Sequence, residues 1–170
     1  GGKAGDALTP IDIVQLATAY GQWVLANSKH KKVVVGRDAR ISGFMVKDLV
    51  CNTLAGCGID VIDLDYSTTP TVEVAVTGEQ AGGGIIITAS HNPRQWNALK
   101  LLNEKGEFLN DIEGKEVLEF AASENVEYAP VDSLGSITRN EDWIDKHVAQ
   151  ILALPLVDAR AIMERKFSVV

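Results

Sequence analysis

Cysteine and histidine are scarce in this chain, with two and three among 170 residues. The C-x-x-x-x-x-C spacing of Cys51 and Cys57 matches no usual zinc or redox motif, so both read as reduced, partly buried thiols. Basic residues are outnumbered, 16 against 23 acidic, giving a net charge of −7. That balance excludes general nucleic-acid binding, which needs a basic footprint. A small anionic substrate stays open, because a few arginines in one cleft override a distant acidic surface. No apolar run approaches the roughly 18 residues of a membrane span, and no signal peptide is present, so no membrane association is expected and the cytoplasm is the default. There is no internal repeat and no low-complexity tract. No G-x-x-x-x-G-K-[ST] loop occurs.

What is present is ordinary globular composition, 46% hydrophobic and 23% charged, enough for one domain with its own core. The opening G-G-K-A-G-D reads as a loop. Thr9-Pro10 then starts a helix, with a threonine cap, proline at the first helical position and Asp12 three residues beyond the cap. Ile13, Leu16, Ala17, Tyr20, Trp23 and Val24 form its apolar face, and Tyr20 and Trp23 read as core. Strands are expected at 32–36, 59–64 and 84–88, separated by helices over 44–55 and from Thr69 to about Gly78. This alternation predicts parallel strands joined by right-handed crossovers. Residues 98–102 are a fourth strand, and Glu104-Lys105-Gly106-Glu107 a hairpin turn that would make that edge antiparallel. A weaker helix spans 111–122, and the polar stretch 123–136 wanders over the surface. Asn140 caps a last helix, on whose apolar stripe His147 reads as a packing residue. The expected fold class is α/β, a three-layer α/β/α arrangement with a mostly parallel mixed sheet and an antiparallel edge strand. Residues 1–160 form the domain, and 161–170, ending R-K-F-S-V-V, open a truncated second one.

In open α/β sheets, ligands bind outside the carboxyl ends of the strands. Two loops leave such ends here. One, G-R-D-A-R-I-S-G, offers Arg37 and Arg40, planar donors suited to phosphate oxygens. The other is T-A-S-H-N-P, with Ser90 beside His91. Each element alone has a plain explanation. Arg37-Asp38 is usually a loop brace, Ser90 a turn residue, and adjacent Ser and His side chains diverge too far for a dyad. G-C-G at 56–58 lacks the third glycine and lies between helix and strand, so it is no dinucleotide fingerprint. Asp63 and Asp65 read as the end of a strand, since a metal site would need further ligands.

Together, however, G-I-I-I-T-A-S-H-N-P at 84–93 and the N-x-x-K that follows resemble the active-site serine loop of the α-D-phosphohexomutases, the phosphoglucomutase, phosphomannomutase and phosphoglucosamine mutase family. G-D-A-L-T-P at 5–10, V-V-V-G-R-D-A-R-I-S-G at 33–43 and T-T-P-T at 68–71 extend the resemblance over about residues 5–109. It implies that this is the first domain of an intramolecular phosphotransferase, which interconverts hexose 1-phosphates and 6-phosphates through a phosphoserine and a bound bisphosphate. Ser90 would be the phosphoserine, Lys100 the assistant in proton transfer, and His91 a catalytic neighbour that shapes the loop. Arg37, Arg40, Asn92 and Thr88 would bind phosphate or substrate. Mg2+ would be ligated by Ser90 through its phosphate, its other ligands lying outside this chain. A hexose bisphosphate activator, hexose phosphate substrates and the remaining domains of the same chain complete the implied partners. The isolated domain would be inactive.

The chain departs from the family pattern in several places. Asn97-Ala98-Leu99-Lys100 stands where N-G-x-K is usual, and Trp96 where tyrosine is common. The family's G-T-[SD]-G-x-R-G and D-G-D-x-D segments are not in the sequence. Two other classes stay open: a non-catalytic sugar-phosphate-binding module using the same loops, and a structural domain with no site.

Overall fold

Two sets of alternating side chains decide the architecture. Val33, Val35, Ile85 and Ile87 bury against one layer of helices, while Val34 and Ile86, one residue out of phase, bury against another. Strands covered on both faces must be apolar throughout, which is why the chain carries V-V-V and I-I-I rather than an alternating pattern. A computed structural model of the chain describes residues 1–123 and 126–169.

The main sheet contains β2 (Lys32–Arg37), β3 (Asp60–Tyr66), β4 (Gly83–Ile87), β6 (Leu99–Leu102) and β7 (Ile137–Arg139), in the order β6-β4-β2-β3-β7. β2 is parallel to β3 and β4, β3 is parallel to β7, and β6 is antiparallel to β4. Helices α1 (Pro10–Asn27), α2 (Gly43–Gly56) and α4 (Asp111–Ala122) cover one face. Helices α3 (Thr69–Gly78) and α5 (Trp143–Leu152) cover the other. The expected three-layer α/β/α arrangement with an antiparallel edge is therefore the one found.

Local signals explain most element boundaries. Thr9 and Asp12 form a reciprocal cap at the start of α1, with Thr9 N donating to Asp12 Oδ2 at 2.7 Å. Thr68 caps α3, and Asn110 with Glu113 forms a capping box on α4. Tyr20 and Trp23 are buried, stacked with ring centroids 5.9 Å apart. Each still finds a partner for its polar tip: Tyr20 donates to Leu102 O at 2.7 Å and Trp23 to Glu116 Oε2 at 2.7 Å. Both cysteines are free and buried. Burial pushes the Cys51 thiol up to about 12. Among the described residues, no helix is long and apolar enough to cross a membrane.

Several expectations need correction. The antiparallel edge does not come from the turn at Gly106, which is followed only by a single bridge, Leu102 to Phe108. It comes from the T-A-S-H-N-P loop, which returns the chain beside the strand it has just left. The opening residues are not simply a loop, since β1 (Gly2–Lys3) pairs with β5 (Trp96–Asn97). β7 was not anticipated, because three exposed residues, Ile-Thr-Arg, carry too little pattern. Asn140 is not the cap of α5; that position is Asp142, whose N–H donates to Asn140 Oδ1 at 3.2 Å. His147 does pack, half-buried, bonded through Nδ1 to Thr71 Oγ1 at 3.0 Å. Helix α6 spans Ala159–Arg165, and Phe167–Val169 have no regular structure. Glu124 and Asn125 of the expected polar stretch, and Val170 of the expected second domain, lie outside the described residues.

The topology fixes where ligands can bind. From β2 the chain crosses to β3 on one side through α2, and then through α3 to β4 on the other side of β2. The crossovers diverge at the carboxyl ends of β2 and β4, the topological switch point where open α/β sheets carry their ligands. Gly36, near the end of β2, makes this possible. A Cβ there would lie 2.5 Å from Val72 Cγ2 and 3.0 Å from Ser67 Cβ. Gly36→Ala should cost about 1–3 kcal/mol through overpacking, read as a lowered urea midpoint with unchanged m. An unchanged midpoint would show that α3 yields freely.

Candidate active site

The loop after β4 begins with Thr88 and Ala89, still buried, and reaches the surface at Ser90. Ser90 has φ +53°, a left-handed conformation that costs a non-glycine residue about 1–2 kcal/mol. It persists because both sides of the residue are held. Ser90 N donates to Thr88 Oγ1 at 3.0 Å, and Ser90 O accepts from Arg40 at 2.6 Å. The turn closes with Asn92 N donating to Ala89 O at 3.0 Å. The side chain is thereby turned outward, and Ser90 Oγ accepts a hydrogen bond from Lys100 Nζ at 2.7 Å.

Lys100 arrives through sheet register. It pairs with Ile86 across the β4–β6 ladder, so it shares that residue's face and stands beside the exit of β4. Its ammonium also lies 5.8 Å from the centre of the Phe108 ring. Ala98, in place of the usual glycine, fits without strain: it is not among the residues with positive φ, and its carbonyl accepts from Thr88 N at 3.1 Å.

The loop after β2 supplies the other wall. Asp38, read in the sequence as a partner for Arg37, pairs instead with Arg40. Its Oδ1 accepts from Arg40 N at 3.0 Å, and its Oδ2 from Arg40 Nε at 3.0 Å and Thr88 Oγ1 at 2.7 Å. Arg37 does brace the loop through Nη1, which donates to Asp38 O at 3.3 Å, but its charge is met on the adjacent strand. Its Nε lies 2.6 Å from Asp65 Oδ1, and its guanidinium carbon is 3.9 Å from the centre of the Tyr66 ring. Burial disfavours the Arg37 charge, but Tyr66 and Asp65 outweigh it and hold the pKa above its ordinary value.

Asp65 occupies a β-bulge. The β2–β3 register passes from Val35 opposite Asp63 to Gly36 opposite Asp65, and Asp65 has φ +52°. The bulge sends the two carboxylates to different partners. Asp63 meets Lys47 of α2 at 2.7 Å, while Asp65 meets Arg37 and also Arg139 of β7 at 2.6 Å. Burial lowers the Lys47 pKa, but Asp63 more than compensates and the net shift is upward.

Of the residues singled out in the sequence, the structure brings Ser90, Lys100, Thr88 and Arg40 into one connected set. His91 and Asn92 lie exposed beside Ser90, and Arg37 stands one strand away, engaged with Asp65. Asp38, Asp65 and the β1 residues carried only structural readings in the sequence, and Tyr66 carried none; their places at the rim come from the structure. The R-D-A-R spacing was a usable signal for Asp38, since aspartate readily caps its own turn two residues on. The apolar groove between α1 and α4, lined by Pro10, Val14, Phe120 and Tyr128, shares no residue with these loops.

The model of the family described as phosphoglucomutase/phosphomannomutase, alpha/beta/alpha domain I matches residues 1–127. The chain belongs to the phosphoglucomutase/phosphomannomutase family. It is 36% identical over 166 residues to a phosphoglucomutase/phosphomannomutase of Thermococcus kodakarensis, covering 97% of this chain and 36% of that protein. It is 33% identical over 153 residues to a phosphoglucosamine mutase of Helicobacter pylori, covering 88% and 34%. A phosphoglucomutase/phosphomannomutase family protein from Burkholderia thailandensis shares the fold, with TM-score 0.74 and 24% identity over 87% of this chain and 32% of that one. The chain thus spans about a third of the length of the curated relatives it matches, 36% and 34%.

Within this family framework, the Arg37–Asp65–Arg139 cluster fixes the β2–β3 side of the rim. Asp65→Asn leaves a buried guanidinium without its counter-charge and should destabilise the chain by about 3 kcal/mol in urea unfolding. A loss below about 0.5 kcal/mol would mean that the pair is dispensable.

Proposed function

We propose that this chain is the phosphoserine-bearing domain of a phosphohexomutase, with Ser90 Oγ as the phosphoryl carrier. One observation carries the reading: an exposed serine hydroxyl on a left-handed turn, at the switch point, held 2.7 Å from a lysine ammonium. Family membership supports the same conclusion, as does the mutase naming of its relatives.

In the forward half-reaction, a hydroxyl oxygen of the hexose monophosphate attacks the phosphorus on Ser90. The P–Oγ bond breaks as the new P–O bond forms. Lys100 Nζ, already hydrogen-bonded to Oγ, gives a proton to the departing oxygen and takes up the one released by the sugar hydroxyl, so the ammonium is restored for the second half-reaction. The second half-reaction returns the other phosphoryl group of the bisphosphate to Oγ. Such transfers depend on alignment and charge neutralisation more than on covalent chemistry by the protein. A phosphoserine at this site carries about −1.5 to −2 charges, and Lys100 supplies one adjacent cation. His91 and Asn92 are exposed where a sugar phosphate would approach, Thr88 orients the Ser90 amide, and Arg37 and Arg40 bring positive charge to the neighbouring loop.

The donors here fit a minor share in a magnesium site. Among the described residues, no group of three or more His, Cys, Asp or Glu side chains converges, and Asp63 and Asp65 are engaged by cations. Ser90, through its phosphate, is the ligand this chain offers, and the metal when bound would neutralise phosphate charge. Hexose phosphates are the substrate class, with a hexose bisphosphate as activator and the chain's other domains completing the site.

The test is Ser90→Ala in the full-length protein, assayed for hexose phosphate isomerisation with magnesium and bisphosphate. Activity should fall by at least about a thousandfold, with sugar-phosphate binding retained. Undiminished turnover would exclude Ser90 as the carrier and favour a phosphate-binding role for the loops.

A further inference from the structure

Arg40 invites a phosphate-binding role by its spacing, yet its geometry describes something else. A guanidinium has five N–H donors in a rigid fork. Nε bonds Asp38 Oδ2 at 3.0 Å; one terminal nitrogen bonds both Pro93 O at 2.8 Å and Trp96 O at 3.1 Å; the other bonds Ser90 O at 2.6 Å. Only one donor remains, whereas a bidentate grip on phosphate needs two. The side chain is only 10% exposed. Four oxygens therefore converge on a group that has little left for a ligand.

The three carbonyls belong to the beginning, middle and end of the serine loop. Their lone pairs converge on one point, an arrangement that repels itself without a cation at its centre. The Asp38 carboxylate anchors the guanidinium from behind. It also accepts from Thr88 Oγ1, which in turn accepts from Ser90 N. Ser90 is thus gripped through its N–H by way of Thr88 and Asp38, and through its C=O by way of Arg40. A strained backbone residue at a reactive position persists only when its surroundings over-determine it.

We propose that Asp38 and Arg40 form a clamp that holds the serine loop in its reactive conformation, making Arg40 a positioning residue for Ser90 rather than a ligand for substrate phosphate. The proposal rests on Ser90 being the phosphoryl carrier, but the clamp has a readout independent of that chemistry. A clamp sets the aim of Oγ, so its loss lowers kcat; loss of a phosphate ligand raises KM.

The experiment compares wild type, Arg40→Lys and Asp38→Asn. In this chain, amide hydrogen exchange is followed at Asn92 and Trp96, whose N–H groups close the loop onto Ala89 O and Pro93 O. Both should exchange at least about tenfold faster in each variant, while the buried β4 amides keep their protection and certify the fold. In the full-length protein, kcat for hexose phosphate should fall about 30- to 100-fold with KM within about twofold. Unchanged loop exchange, or a KM raised tenfold at unchanged kcat, would overturn the clamp. Should Arg40→Lys lose β4 protection, Asp38→Asn alone decides, since amide replaces carboxylate at equal size. If Ser90→Ala proves active while the loop still loosens in the variants, the carrier reading fails and the clamp stands as loop architecture only.

Discussion

Strand β4 is buried on both faces, flanked by β2 and β6, and cannot shift without opening the core. The chain leaves it, makes one excursion to the surface, and returns as its own neighbour. Both ends of the serine loop are therefore nailed to adjacent rungs of one ladder, Ile87 opposite Leu99 and Ile86 opposite Lys100. That constraint places a hydroxyl and an ammonium, ten positions apart, within hydrogen-bonding distance. It also forces Ser90 into a left-handed turn. The neighbouring loop, the pairing of β1 with β5 and the buried Asn97, which donates to Ser42 Oγ at 3.0 Å, all serve to hold that excursion still.

Charge is organised by depth. The chain is acidic overall, but at the rim several carboxylates are turned inward against cations: Asp38 to Arg40, Asp63 to Lys47, Asp65 to Arg37 and Arg139. Pairing of this kind contributes little net stability but makes each partner costly to remove, so it favours a fixed arrangement over a mobile one. The lysine beside Ser90 stands outside these pairs, half-buried and directed at the hydroxyl. A net charge of −7 is therefore no guide to the sign of the site.

Much of this was legible in the sequence. The Val and Ile runs named the buried strands, Thr9-Pro10 and Thr69-Pro70 marked helix starts, and T-A-S-H-N-P announced the serine loop. Pairing partners were less visible. Arg37 next to Asp38 suggested a loop brace, and a bond to Asp38 O does remain, but the β-bulge at Asp65 offered the Arg37 charge a buried partner on the adjacent strand, and the Asp38 carboxylate turned to the residue two positions on. Short edge elements such as β1 and β7 owe their existence to backbone groups of neighbouring strands, not to their own side chains, so no local pattern reveals them. The antiparallel edge was foreseen for the wrong reason: Gly106 does make a turn, yet the reversal that matters occurs at Ser90.

The central claim is that Ser90 Oγ carries the phosphoryl group. Its most direct test is phosphopeptide mapping of the full-length protein after incubation with a hexose 1,6-bisphosphate and magnesium. The account predicts a gain of about 80 Da on the peptide containing Ser90 and on no other. Phosphate on a different residue, or a Ser90 peptide that never gains mass while the enzyme turns over, would contradict it.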